Sequence, residues 1–330
     1  MGILDSLLPH FKEVVVTRGF KYHYYYSAPT PSKPTLLFIH GFPSLALDWH
    51  HQITYFGERG YGLVVPNQLG YGGSDKPPEV KDYVQSLIAK DMVDILDHEK
   101  ATDVIVVGHD WGSNTTSVLA NLYADRFIAF GFLAVGYLPP LLEWNIDELR
   151  ESTIKTVGYE TFGYWEFFTA PDAPSVIRAH KDSFYGLLYA KDARVWRYNI
   201  CPVGAARVFV ESDTKTPRVS FIDDELWQLY QEEWDRDALD GPLNFYRAAV
   251  SEAAAEDARK IPLEDYKIAK PVFFGTASKD PICVDWVQEA QTRQFCSNTT
   301  VAKFNTTHWV AAEAPTEVNE ALEKWILGSL

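Results

Sequence analysis

Gly108-His109-Asp110-Trp111-Gly112 constrains this chain more than any other stretch. It follows an apolar β-branched run, Val104-Ile105-Val106-Val107, and precedes a segment, Ser113 to Tyr123, that reads as a helix. A strand, a sharp turn bounded by glycines and a helix are the setting of a nucleophile elbow, which lifts its middle side chain above a sheet edge. The glycines let backbone pack closely around the strained turn. The common version of that motif has Ser in the middle. Here the residue is Asp110, and Gly-x-Ser-x-Gly occurs nowhere in the chain. A carboxylate, with an ordinary pKa of about 3.9, is ionised at neutral pH and attacks without a base. It is a weak nucleophile towards amides, but it displaces at a strained or activated sp3 carbon. The product is an ester of the protein, and hydrolysing that ester does require a base. The plainer role for Asp110 is to cap the following helix. The glycine on each side favours the nucleophile.

The remaining pattern predicts an α/β fold with a mostly parallel central sheet covered by helices on both faces. Lys12 to Thr17 and Phe20 to Ser27 read as a hairpin around Arg18-Gly19. Thr35 to His40, Leu63 to Pro66 and Phe130 to Val135 read as buried strands, and Tyr83 to His98 has helical spacing. At Pro139-Pro140 the alternation stops. From Leu141 to about Ala255 the chain reads as helices and loops rich in Trp, Tyr and Phe. Sheet pattern resumes at Pro271 to Thr276 and at Thr300 to Phe304, with helices at Val284 to Arg293 and Val318 to Leu327. The expected organisation is a core over residues 1–137, a helical insert over 138–255 above the functional sheet edge, and the rest of the core over 256–330.

The base that the ester needs is assigned to His308, between the last strand and the closing helix. An imidazole pKa of about 6.5 suits proton removal from water at neutral pH. Asp280, in Lys279-Asp280-Pro281 after the preceding strand, is expected to orient it; Glu143 is the rival acid. His40-Gly41-Phe42-Pro43 follows the first core strand. The backbone N–H groups of Phe42 and Trp111 are expected to face the oxygen that turns negative when the ester is attacked. A leaving alkoxide also needs a proton donor, and Tyr, protonated at neutral pH, is the suitable type. Physical reasoning does not choose among the many tyrosines of the insert. Gly70, Gly72 and Gly73 lie in a loop without the Lys-Ser/Thr ending of a phosphate-binding loop, so turn chemistry is expected there.

A net charge of −15 argues against nucleic acid and anionic membranes as partners. Aromatics at 14% of the 330 residues lean towards an apolar pocket. The three cysteines, Cys201, Cys283 and Cys296, are few and far apart, which suits a reducing, cytoplasmic compartment and gives no metal-type spacing. The first residues lack a signal-peptide pattern, and no apolar run reaches membrane-span length. Met1-Gly2-Ile3-Leu4-Asp5-Ser6 fits the myristoylation pattern, but no polybasic patch supports it. Three Asn-Thr-Thr sequons read as accidental without a secretory signal.

With these residues in place, the chain resembles the epoxide hydrolase branch of the α/β-hydrolase fold family over nearly its whole length. His40-Gly41-Phe42-Pro43 is similar to the family's HG-x-P loop, Gly108 to Gly112 to its nucleophile elbow, and Gly70-Tyr71-Gly72-Gly73-Ser74 to the loop between them. The insert resembles the family's cap, which presents two tyrosines to the epoxide oxygen. Gly241-Pro242-Leu243-Asn244-Phe245-Tyr246-Arg247 resembles the segment bearing the second, and Gly163-Tyr164-Trp165-Glu166-Phe167-Phe168 the segment bearing the first. The resemblance thus implies Tyr246 and Tyr164 as the pair, with Tyr159 the alternative to the latter. It also implies Phe42, Trp111 and Trp165 against the substrate. Asn67 stands where many members carry Asp. The implied reaction opens a small apolar epoxide on Asp110, then hydrolyses the ester with water activated by His308 and Asp280, with no metal or organic cofactor. The rivals are a haloalkane dehalogenase, which shares the Asp and the Trp after it but generally needs a second halide N–H donor where Phe42 stands, and a non-catalytic small-molecule receptor on the same fold.

Overall fold

The apolar runs form the middle of an eight-stranded sheet. Its strands are β1 (Phe11–Val15), β2 (Lys21–Ser27), β3 (Thr35–Ile39), β4 (Gly62–Pro66), β5 (Val104–His109), β6 (Phe127–Leu133), β7 (Val272–Ala277) and β8 (Thr299–Phe304). Their order is β1-β2-β4-β3-β5-β6-β7-β8. β2 pairs antiparallel with β1 and with β4, and all other pairs are parallel. In this computed structural model residues 3–140, 142–143, 145–237 and 239–330 are described, with the backbone alone for 3 and 235–237. Gly2 and the insert's Trp144 lie outside the described residues.

Every residue of β3, β4 and β5 is buried, as expected of parallel strands covered on both faces. Each buried Val or Ile side chain contributes about 1.5–3 kcal/mol, so Val104 to Val107 hold β5 firmly beneath the turn that follows it. Parallel pairing brings the C-terminal ends of the strands to one edge of the sheet. Ile39 is opposite Gly108, Leu133 opposite Gly275, and Ala277 opposite Phe304. The loops after β3, β5, β7 and β8 therefore open side by side, where open α/β sheets bind their ligands.

The helix read from Tyr83 starts at Gln85, because Val80–Tyr83 forms a separate 3-10 turn. Ile3–Leu7, His50–Glu58 and the short Val310–Glu313 are helices with no counterpart in the sequence reading. The buried face of the second is His50, Gln52, Ile53 and Phe56, so it carries no apolar stripe. Its Gln52 is held by Asn319 at 3.0 Å and by the Ala311 carbonyl at 3.2 Å.

Between β6 and β7 the described residues form helices, including Trp165–Thr169, Lys181–Leu188, Arg194–Asn199, Asp224–Asp237 and Asp240–Ala249. Among the contacts that fasten this insert to the rest, two lie beside the functional edge of the sheet. The Tyr230 hydroxyl donates to Asp48, a half-buried carboxylate just beyond the loop that follows β3. Gly70, at φ 92°, meets Gly241 so closely that a Cβ on either would press into the other's backbone. The glycine loop thus serves as a tight turn and as the seat for the helix that carries Tyr246. All three cysteines are buried and free. No helix of the described residues is long and apolar enough to cross a membrane.

Candidate active site

Asp110 sits at the junction of β5 and the helix Trp111–Leu122 with φ 55° and ψ −121°, a conformation uncommon for any residue but glycine. A Cβ on Gly112 would collide with the Ile39 carbonyl, and one on Gly41 with the Asp110 side chain, so the turn tolerates nothing larger at either place. Asp110 occupies the helix N-cap, yet its side chain makes no capping bond. The carboxylate faces the loop after β3 instead. The Phe42 N–H donates to its Oδ1 at 2.7 Å. Its Oδ2 lies 3.4 Å from His308 Nε2.

The loop that supplies the Phe42 donor is itself clamped. His40 Nε2 accepts from the Gln68 N–H at 3.0 Å, so its proton is on Nδ1, which donates to the Gly41 carbonyl at 2.9 Å. The Gln68 side-chain amide donates to the His40 carbonyl. Burial holds His40 down at about 4, hence neutral, and the arrangement keeps one tautomer. The Trp111 N–H belongs to the first turn of its helix, where backbone donors have no partner within the helix.

His308 follows β8 and reaches back across the edge. Its Nδ1 donates to Asp280 Oδ2 at 2.6 Å, and Asp280 Oδ1 accepts the N–H groups of Ile282 and Cys283 at 2.8 and 3.0 Å. The carboxylate that orients the imidazole is thus fixed by its own loop. Burial pulls the His308 pKa down, but the Asp280 charge and the hydrogen bonds to Asp110 and Asp280 outweigh it and hold it well above the usual histidine range. Burial likewise raises the Asp110 carboxyl, and the hydrogen bond and charge of His308 overcome this and bring it below the usual range. His109 joins elbow to base, its Nε2 donating to the His308 carbonyl at 2.9 Å; burial takes it to about 4, so it is neutral.

A cavity of about 400 Å³, its mouth included, opens above Asp110 and His308. Tyr164 and Tyr246 line it, with Phe42, Phe168, Leu188, Trp196, Ile200, Ile282, Cys283 and Trp309. Burial, together with the neighbouring Asp110 carboxylate, pushes both tyrosine hydroxyls well above their usual pKa, so both are protonated. The Tyr246 ring is boxed by Phe42, Trp111, Trp165 and Phe168, with centroids 5.1–5.2 Å away.

The structure therefore brings together Asp110, His308, Asp280, Tyr164, Tyr246 and Phe42. Trp111 and Trp165, expected against the substrate, are not on the cavity wall. Their indoles pack against each other and against Tyr246, with their own centroids 5.7 Å apart, where large apolar rings gain most from burial. Tyr159 is also elsewhere: its hydroxyl donates to the Pro281 carbonyl at 2.8 Å and the Arg197 guanidinium covers its ring. Glu143 is exposed. Cys283, Ile282 and Trp309 on the wall went unread, although each lies within three residues of Asp280 or His308. Leu188, Trp196 and Ile200 carry no signal in the sequence, since only the folded insert brings them over the sheet. Asn67 accepts the Ala46 N–H at 2.9 Å and stays out of the cavity.

The sequence pattern described as the alpha/beta hydrolase fold matches residues 34–315, from the start of β3 to beyond His308. The chain belongs to the α/β-hydrolase fold family. Within it, the chain is 28% identical over 311 residues to epoxide hydrolase A of Mycobacterium tuberculosis, covering 91% of this chain and 92% of that protein. It is 25% identical over 321 residues to the bifunctional epoxide hydrolase 2 of Mus musculus, covering 95% of this chain but only 54% of the mouse protein. It thus spans about half the length of the mouse relative. The crystal structure of epoxide hydrolase A from Mycobacterium thermoresistibile superposes with a TM-score of 0.78 at 27% identity, covering 96% of this chain and 98% of that one.

In this α/β hydrolase the raised His308 pKa gives a pH prediction. In the role of general base proposed below, His308 works only when neutral, and the Asp280 charge favours its protonated form. Asp280→Asn removes that charge, so the acid limb of the pH–rate profile moves to lower pH. The loss of orientation lowers kcat by about 10³–10⁴-fold. A profile measured from pH 5 to 10 checks both, and an unmoved acid limb would contradict the assignment.

Proposed function

We propose that this chain is an epoxide hydrolase that turns a small apolar epoxide into a vicinal diol through an ester on Asp110. The observation that carries this reading is the facing arrangement in one cavity: an ionised carboxylate not spent on capping, and two protonated tyrosines. A strained three-membered ether needs a nucleophile on carbon and a proton donor on oxygen at once, and the cavity offers both. The names of the family relatives point the same way.

Phe42 N–H holds Asp110 Oδ1, which leaves Oδ2 for attack on the epoxide carbon. Tyr164 and Tyr246 hydrogen-bond the epoxide oxygen and one of them supplies the proton as the C–O bond breaks. His308 then takes a proton from water, whose oxygen adds to the ester carbon. The oxyanion forms on Oδ1, already beside the Phe42 N–H; one such donor contributes about 3 kcal/mol to lowering the barrier. The tetrahedral species collapses as the Cγ–Oδ2 bond breaks; the diol oxygen leaves with the proton held by His308, and the proton of the new Asp110 carboxyl group returns to the tyrosinate.

The helical stretch 138–255 acts as the cap that supplies both tyrosines and, with Phe168, Leu188, Trp196 and Ile200, half of the remaining apolar wall. Apart from Asp110 and His308 the described residues of that wall carry no charged side chain, which suits an uncharged aryl or alkyl epoxide. The haloalkane dehalogenase alternative loses ground here, because two protonated tyrosine hydroxyls face Asp110 across the cavity.

The test is a single turnover in oxygen-18 water with enzyme in excess over styrene oxide. Unlabelled diol is the expected product, because its new oxygen comes from Asp110. Labelled diol in that first turnover means direct attack by water and removes Asp110 as nucleophile. Release of halide from haloalkanes with no diol from epoxides would replace the reading with a dehalogenase. Saturable binding without turnover would replace it with a receptor.

A further inference from the structure

Cys283 takes no part in the chemistry above, yet it stands on the cavity wall beside the base. Its Sγ, a ring nitrogen of His308 and a carboxylate oxygen of Asp280 lie within 4.8 Å of one another, and all three residues are buried. Nothing in the linear spacing of residues 280, 283 and 308 resembles a metal motif. The three meet because the loops after β7 and β8 open on the same edge of the sheet.

The geometry points to a site for a thiophilic divalent cation, zinc or cadmium, formed by Asp280, Cys283 and His308, reached through the substrate cavity and inhibitory when filled. Thiolate, imidazole and carboxylate are together a donor set that zinc favours. A tetrahedral zinc ion holds nitrogen and oxygen at about 2.0–2.2 Å and thiolate at about 2.3 Å, which spaces the donors roughly 3.3–3.6 Å apart. The present span closes to that spacing with shifts on the order of 1 Å. Asp280 Oδ1 is anchored by the Ile282 and Cys283 N–H groups, so the carboxylate and the cysteine backbone are already fixed relative to each other. The ion takes the place of the proton between His308 Nδ1 and Asp280 Oδ2 and of the Cys283 thiol proton, and both protons leave to water. Water from the cavity completes the tetrahedron.

An imidazole bound to a cation through Nδ1 loses its basicity at Nε2 and its hydrogen bond to Asp280. Asp110, Tyr164 and Tyr246 are outside the ligand set. A filled site therefore stops ester hydrolysis and leaves alkylation possible. This inhibitory half rests on the proposed mechanism, whereas binding rests on the geometry alone.

The test begins with cadmium chloride added to the full chain in metal-free buffer. One cadmium per chain with a cadmium–thiolate ultraviolet band is expected. The band disappears in Cys283→Ala and in Cys283→Ser, and persists in Cys201→Ala. With zinc chloride, steady-state hydrolysis of styrene oxide falls more than tenfold and returns on adding a chelator. Cys283→Ala needs at least tenfold more zinc to lose half of its own rate. A thiolate band that survives both Cys283 variants, or no band in the wild type, overturns the site. Equal zinc sensitivity of wild type and Cys283→Ala overturns its inhibitory role. If the chain opens no epoxide at all, the functional reading fails while the band and its loss in the variants still decide the site.

Discussion

His308→Gln is expected to stop the protein after a single chemical event. Asp110 and both tyrosines remain, so the epoxide opens and the ester forms. Nothing then removes a proton from water, and ester hydrolysis slows by about 10⁴-fold or more. Intact-protein mass should rise by the mass of one epoxide, with the adduct on the peptide that contains Asp110. Product should amount to less than one equivalent per chain over hours. Continued turnover near the wild-type rate would mean that His308 is not the base. An inactive variant without adduct would mean that it is needed before the ester, not after.

The second large effect is expected from removing both cavity hydroxyls. In Tyr164→Phe/Tyr246→Phe the rings stay, and the box of Phe42, Trp111, Trp165 and Phe168 around residue 246 should keep its packing. What is lost is hydrogen bonding to the departing oxygen. Removing one donor of this kind costs about 10²–10³ in rate. Each single change should slow ring opening by that amount, because one tyrosine remains to supply the proton. The double variant leaves an alkoxide with no proton donor, and opening should fall below about 10⁻⁴ of the wild-type rate. Stopped-flow tryptophan fluorescence reads this step directly, with many indoles close to the cavity. Wild-type opening rates in the double variant would remove both tyrosines from the mechanism.

What could be read from the sequence was what depends on short-range pattern. β-branched runs gave the buried strands, and the glycine-bounded Asp110 gave the elbow, because the space around a strained turn is set by residues a few positions away. The order of Asp110, Asp280 and His308 along the chain followed from loops leaving one sheet edge. The helix His50–Glu58 stayed hidden because its buried face carries His50, which bonds the nearby Leu47 carbonyl, and Gln52, whose amide is held by Ala311 and Asn319 far along the chain. The orientation of Trp111 and Trp165 was equally closed to inspection. Both are large and apolar, and either could have covered substrate or filled a seam. Which it is depends on how two helices of the insert meet the elbow, and that is a property of long-range packing. Tyr159 and Tyr164 differ by five positions, and only the folded insert separates a hydroxyl tied to the Pro281 carbonyl from one on the cavity wall.

The pairing of Asp110 with His308 has a consequence for the sequence of events. In the resting site the imidazole is flanked by two carboxylates, which favour its protonated form, the one that cannot act as a base. In the proposed mechanism, forming the ester erases the negative charge on Asp110. One of the two influences that hold the proton on His308 vanishes at that moment, and its pKa falls towards the range where water can be activated. The nucleophile is thus also the safety catch of the second step. Substrate loading releases it, and regeneration of the carboxylate sets it again, with no moving part beyond a single proton.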